Sequence, residues 1–179
     1  LPSEFQDPDY KRHDTLGWNY RMNEVTAAVA LAQVERMDFL VSRRQKVAEL
    51  FYDAIADCDW IKPQLVPDGY VSSYWSFCAL YEGEKITGLS WKDFYHKFKE
   101  AGGDGFYGGL SVVYEELIIK NLGFIKSGYL PSQGQCEYTN RFKYEKGLCP
   151  IAEAVQHKMM QFKTNYRNLE DAKKQALIL

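Results

Sequence analysis

The stretch Leu16–Asp38, LGWNYRMNEVTAAVALAQVERMD, is where an irregular N-terminal segment gives way to regular structure. Before it, Pro2, Pro8 and the polar run Gln6–Lys11 show no amphipathic period, so residues 1–22 are expected to be irregular. Within it, Asn23 is suited to cap a helix, because its side-chain oxygen can accept an orphan N–H of the first turn. Glu24 adds negative charge at the positive end of the helix dipole. Ala27, Leu31, Val34 and Val41 then recur at helical intervals and predict one buried stripe. Val47 or Ala48, Phe51 and Ile55 continue the period, while Arg43, Arg44, Gln45, Lys46 and Glu49 supply a wet face. A connecting helix over 23–57 is longer than most globular helices, so a bend near Asp38 or Ser42 is expected.

Downstream the period changes. Trp60–Val66 reads as a short extended segment, and Pro63 suits a sheet edge because it has no N–H to donate. From Tyr70 to Glu82 the residues alternate, with Val71, Ser73, Trp75, Phe77 and Ala79 on one face and Ser72, Tyr74, Ser76, Cys78 and Leu80 on the other. That pattern predicts a strand. Gly83–Gly88 reads as a turn, and Ser90 with Asp93 forms a capping box opening a helix to Ala101, with Phe94, Phe98 and Ala101 inward. Residues 106–146 are the least regular, with a short helix expected at Leu117–Leu122. Pro150 at a first helical position opens another helix with a core stripe of Ala152, Val155, Met159 and Phe162. Asn168–Asp171 reads as a second capping box, leading a closing helix with Ala172, Gln175 and Leu179 at helical spacing. This order predicts an α/β fold in which residues 58–179 form a small C-terminal α/β domain with a mainly antiparallel sheet and helices.

The 179 residues, 46% of them hydrophobic and 15% aromatic, can close a core and are no disordered chain. A formal charge of -2 gives no electrostatic reason to expect a nucleic-acid partner. No apolar run reaches membrane-spanning length and no basic-then-apolar leader opens the sequence, so neither a membrane partner nor secretion is expected. Cys58, Cys78, Cys136 and Cys149 contain no CxxC pair, so neither a metal site nor a disulfide framework is expected. Free thiols in a reducing cytoplasm are the simpler reading.

Two clusters carry candidate chemistry. Gly17–Met22 sets an amide, a guanidinium and two aromatics with polar tips just ahead of a helix N-terminus, a combination suited to phosphate or carboxylate. The same residues could instead be structural, with Asn19 satisfying a turn and Arg21 pairing with Glu24. Gly102–Gly109 is glycine-rich but follows a helix and matches neither GxGxxG nor a Walker loop. Its glycines either permit positive φ after the helix or let backbone approach a ligand under Tyr107. No serine or cysteine carries a nucleophile signature.

Leu16–Asp38 strongly resembles a signature stretch of the DegT/StrS-type nucleotide-sugar aminotransferases, pyridoxal-phosphate enzymes with the aspartate-aminotransferase fold, fold type I. The similarity continues through Arg43-Arg44 to Ile55. It resumes around Tyr74-Trp75, in Gly103–Gly108 and in Cys149–Ala154, and the closing helix resembles the family's last one. The resemblance implies that Asn19 reaches across a dimer interface to the cofactor phosphate of the neighbouring subunit, that Arg21 organises the position beside it, and that Tyr20 lines the same site. It further implies that Tyr107, with Gly105 in the same motif, approaches the sugar substrate. Where many members carry Tyr-Pro-Leu-His, this chain has Gly109–Tyr114.

The family needs a Schiff-base lysine, an acid facing the pyridine nitrogen and a residue stacked on the ring, and the resemblance places all three upstream of Leu1. No lysine here sits in a matching motif, so no catalytic residue is assigned and this chain alone is expected to be inactive. The expectation is the C-terminal part of a homodimeric, cytoplasmic enzyme of polysaccharide biosynthesis, partnered with a missing N-terminal domain that binds pyridoxal phosphate. That enzyme would transfer an amino group from an amino acid, glutamate by expectation, to a nucleotide-linked keto-sugar. The alternative is a non-catalytic dimerisation or interaction module derived from the same fold.

Overall fold

A computed structural model describes residues 20–109, 111–120 and 145–179. The chain divides into two compact units, Leu1–Phe39 and Leu40–Leu179. In the first, helix α1 spans Glu24–Val34, and Asn23 caps it as its chemistry predicts, its Oδ1 accepting the Thr26 N–H at 2.8 Å. The expected buried stripe is not buried here: Leu31 and Val34 are 59% and 63% exposed, and no residue of α1 is buried. Alanines at 27, 28, 30 and 32 interleave with Val25, Val29, Leu31 and Val34, so the helix is apolar on every side. Such a helix is stable when other surfaces cover it.

A turn at 35–36 ends α1, and α2 follows at Met37–Ala54, so the long helix is two helices broken just before Asp38. In the second unit, α2 offers Val47, Ala48 and Phe51 to the core. The sheet has four strands, β1 (Ile61–Pro63), β2 (Ser76–Tyr81), β3 (Tyr107–Gly108) and β4 (Met159–Lys163), in the order β1-β2-β4-β3 with every pairing antiparallel. Pro63 lies on the edge strand, where a missing N–H leaves no gap in a ladder. Phe77, Ala79 and Tyr81 of β2 and Met160 and Phe162 of β4 are buried, and with Phe51 of α2, Phe98 and Ala172 they form one core cluster.

The remaining helices are short: α3 (Glu84–Thr87) where a turn was expected, α4 (Trp91–Glu100), α5 (Leu117–Lys120), α6 (Pro150–Val155) and α7 (Leu169–Ile178). The Ser90–Asp93 capping box at α4 is complete in both directions, whereas Ala101 is the exposed C-cap and not a core residue. Asn168 caps α7 by accepting the Glu170 N–H at 3.1 Å. Two further expectations are corrected. The β2 strand begins at Ser76 and not Tyr70, because Tyr74 takes a positive φ of 46° that breaks the alternation and leaves Val71 and Trp75 exposed. The helix opened by Pro150 stops at Val155, and Met159 and Phe162 lie in the internal strand β4. Of the short helix expected to reach Leu122, Asn121 and Leu122 lie outside the described residues. Among the described residues no helix is long and apolar enough to cross a membrane.

Candidate functional site

The glycine-rich segment is built as a bracket between α4 and the sheet. Gly105 has a φ of +90°, a left-handed backbone that a side chain would strain, and it turns the chain back after α4. Phe106 then points inward at 6% exposure against the rings of Trp91, Tyr95 and Phe162, while Tyr107, next along the strand, is 77% exposed on the edge strand β3. Gln161 Nε2 donates to the Gly108 carbonyl at 3.2 Å, and a Cβ at Gly109 would run into the Gln156 carbonyl oxygen.

Asp104 anchors this bracket. Its Oδ2 accepts from the Tyr166 hydroxyl at 3.0 Å and pairs with Lys163, whose Nζ also sits 4.5 Å from the Tyr166 ring centre. Its N–H donates to Gln175 Oε1 at 2.6 Å, and its carbonyl accepts from Lys99 Nζ at 3.2 Å. The hydrogen bond from Lys163, then that from Tyr166, hold the Asp104 carboxyl below the usual carboxylate range, while burial, then the Asp104 contact, raise the Tyr166 phenol. A depressed folded-state carboxyl stabilises the fold above its unfolded value of about 3.9, and that contribution is lost as pH falls through the folded value. Because the Asp104 side chain is 38% exposed, the effect is screened to below about 1 kcal/mol. Asp104→Asn is therefore expected to flatten the fall in Tm between pH 5 and pH 3 in a calorimetric series, relative to the parent chain.

Beside the bracket lies a pocket of about 330 Å³ whose lining includes Gly109, Ser111, Glu115, Lys146, Gln156 and His157. Glu153 also faces it, but its Oε1 is already engaged by the Tyr114 hydroxyl and by the N–H groups of Gly147 at 2.7 Å and Cys149 at 3.2 Å. The Tyr114 hydroxyl first, with these N–H groups, holds the Glu153 carboxyl below its ordinary range. Burial first, then Glu153, pushes the Tyr114 phenol up to about 12. Glu153 thus acts as a staple joining Tyr114 to the start of α6.

Of the residues expected at a cofactor, Asn19 lies outside the described residues, and Tyr20 and Arg21 are exposed, Tyr20 at 91%. They belong to the first compact unit, whereas Gly105 and Tyr107 belong to the second. Arg44 of the basic pair donates to the Trp75 carbonyl at 2.8 Å and to Thr164 Oγ1 at 3.0 Å, and Arg43 donates to the Tyr166 carbonyl at 3.3 Å. These contacts brace loops. The partners of Asp104 and the staple at Glu153 carry no local sequence signal, although both acids fall inside stretches of family resemblance. Among the described residues no group of three or more His, Cys, Asp or Glu side chains converges to hold a metal.

A small antiparallel sheet backed by helices is a fold shared with solved sugar aminotransferases. The chain belongs to the DegT/DnrJ/EryC1/StrS aminotransferase family, whose profile matches residues 3–107. It is 44% identical over 39 residues to the GDP-perosamine synthase of Escherichia coli O157:H7, a stretch covering 22% of this chain and 11% of that enzyme. Its fold is similar to that of Helicobacter pylori PseC, an aminotransferase involved in the biosynthesis of pseudoaminic acid, with a TM-score of 0.58 at 19% identity. That similarity covers 96% of this chain and 40% of PseC. It is also similar to the E. coli GDP-4-keto-6-deoxy-D-mannose-3-dehydratase, solved with bound hydrated pyridoxal phosphate, with a TM-score of 0.55 at 17% identity over 92% of this chain and 37% of that one. The chain thus spans about two fifths of the solved relatives it resembles.

Proposed function

We propose that this chain is the C-terminal portion of a pyridoxal-phosphate-dependent aminotransferase that moves an amino group from an amino acid, glutamate, to a nucleotide-linked keto-sugar. The observation carrying the reading is the family match over residues 3–107, which contains the Gly17–Met22 cluster and runs into the glycine bracket. The apolar surface of α1 supports a covering partner, in this reading the N-terminal domain and a second subunit of a cytoplasmic homodimer. Pyridoxal phosphate is the cofactor of the complete enzyme, and when bound it supplies the electron sink for amino-group transfer. Of the residues this reading assigns to it, Tyr20 and Arg21 are exposed and open to a partner surface.

In this reading Asn19, with Arg21 and Tyr20 beside it, binds the cofactor phosphate of the neighbouring subunit. Tyr107, held outward by the Gly105 turn and the Asp104 anchor, meets the sugar with its hydroxyl and ring. Joining an N-terminal family domain to this chain is expected to give a protein with the visible absorbance band of bound pyridoxal phosphate, and this chain alone is expected to show none. Absence of the band from the joined, folded protein in excess cofactor would sink the enzyme reading and favour a non-catalytic dimerisation module.

A further inference from the structure

A second pocket, of about 370 Å³, lies in the Leu40–Leu179 unit between α2 and the loop leading to β2, and its walls include Gln45, Glu49, Tyr52, Tyr70, Ser72 and Tyr74. Tyr74 is the one non-glycine residue with positive φ among the described residues. A bulky side chain in that conformation is strained in a way that a glycine would avoid, so the contacts around Tyr74 hold its ring there against the backbone preference. Specific contacts hold it. The Tyr74 N–H donates to Ser72 Oγ at 3.1 Å, and Thr164 Oγ1 donates to the Tyr74 carbonyl at 2.5 Å. The ring stands edge-on to Tyr52 at 6.2 Å, and Tyr52 is fixed by donating to the Gln64 carbonyl at 2.8 Å.

The chemistry of the walls narrows the occupant. No lysine or arginine lines the pocket, and the Glu49 carboxylate makes its charge negative, which disfavours phosphate or carboxylate inside. Glu49 has no hydrogen bond or ion pair among the described residues, so both its oxygens are open to a donor. Gln45 Nε2 donates to the Ser72 carbonyl at 3.1 Å, leaving its Oε1 as a further acceptor. Acceptors beside aromatic faces select a flat ring with N–H groups along one edge. Tyr70 and Val71, 74% and 85% exposed, leave one side open, which admits a slab edge-on and does not close round a compact ammonium ion.

Guanine presents two adjacent donors, N1–H and the N2 amino group, that match a carboxylate in bidentate fashion, whereas adenine and uracil place an acceptor next to their donor. We infer that this trough is a base-binding site that takes a guanine ring between Tyr70 and Tyr74, with Glu49 accepting its N1–H and N2–H. The inference rests on a nucleotide-linked substrate, as proposed above.

The test is a nuclear magnetic resonance titration of the 179-residue chain, ¹⁵N-labelled, with guanosine, adenosine and uridine, nucleosides that carry no phosphate. Guanosine is expected to shift the amides of Glu49, Tyr70, Ser72 and Tyr74 and to bind more tightly than the other two. Glu49→Gln, a change at an exposed side chain, is expected to weaken guanosine roughly tenfold or more while leaving the rest of the spectrum in place. Tyr70→Ala is expected to cost a similar factor through lost stacking. No shift at these amides, equal response to all three nucleosides, or a response to tetramethylammonium in place of guanosine would each overturn the site. The readout needs neither cofactor nor turnover, so its failure is separate from failure of the absorbance test.

Discussion

Phe162→Ala is expected to destabilise the Leu40–Leu179 unit by about 4 kcal/mol, as large-to-small changes at aromatic core positions do. Phe162 is 2% exposed on the internal strand β4, opposite Phe77 in the ladder. Its ring lies 5.2 Å from Phe51 of α2, 5.9 Å from Phe98 of α4 and 5.0 Å from Phe106 of the glycine segment, measured between ring centres. Because the neighbours belong to separate elements, no single shift refills the space, and the cavity cost adds to the lost transfer energy. The fall in Tm should be on the order of 10 °C. Phe162→Leu keeps most of the volume and is expected to cost less than half as much. Val29→Ala provides the contrast: at 61% exposure on α1 it should fall within about 0.5 kcal/mol in this chain. A Phe162→Ala loss below about 1 kcal/mol in urea titration would show that the core is not centred on this ring.

The same residue marks where the sequence was hardest to read. Val155, Met159 and Phe162 stand four and three apart, a helical spacing, yet Met160, Phe162 and Thr164 also alternate and are the buried set. Either period is locally consistent. Pairing with β2 decides for the strand, and that partner lies about eighty residues earlier, beyond any local window. Signals confined to a few residues were legible. The Ser90–Asp93 box, the Asn23 cap, Pro150 at a helix start and Pro63 at a sheet edge all act through their own backbone neighbours. The break in the long helix was anticipated a few residues late, because apolar spacing continues across the turn at 35–36.

For the site, the motif Leu16–Asp38 was enough to point to the family, and the glycines of 102–109 marked an unusual backbone. What shapes that backbone was hidden. Asp104 is fixed by Tyr166 and Gln175, 62 and 71 residues away, and no spacing rule connects residues at that range. The strain at Tyr74 was hidden for the opposite reason. The alternation from Tyr70 to Glu82 is regular enough to read as one strand, whereas the backbone before Ser76 is held by distant contacts from Thr164, just after β4, and from Arg44 of α2.

Thr164→Val tests those contacts and is expected to cost about 2 kcal/mol, the penalty for leaving buried polar groups without a partner. Thr164 is 1% exposed, its Oγ1 donates to the Tyr74 carbonyl at 2.5 Å and accepts from Arg44 at 3.0 Å, and valine has the same shape without the hydroxyl. Arg44 retains the Trp75 carbonyl at 2.8 Å, so the residue that loses its restraint is Tyr74. Freed of that bond, Tyr74 should relax from φ +46° toward negative φ and carry its ring out of the trough. Thr164→Ser keeps the hydroxyl and loses only a methyl, so it should cost about 1 kcal/mol and leave Tyr74 in place. The pair therefore separates stability from geometry. At a temperature where both variants are fully folded, the serine variant should keep the guanosine response of the Tyr74 amide and the valine variant should lose it. An unchanged Tm and an unchanged Tyr74 resonance in Thr164→Val would show that the hydroxyl does not hold the loop, and the strain would then need another source.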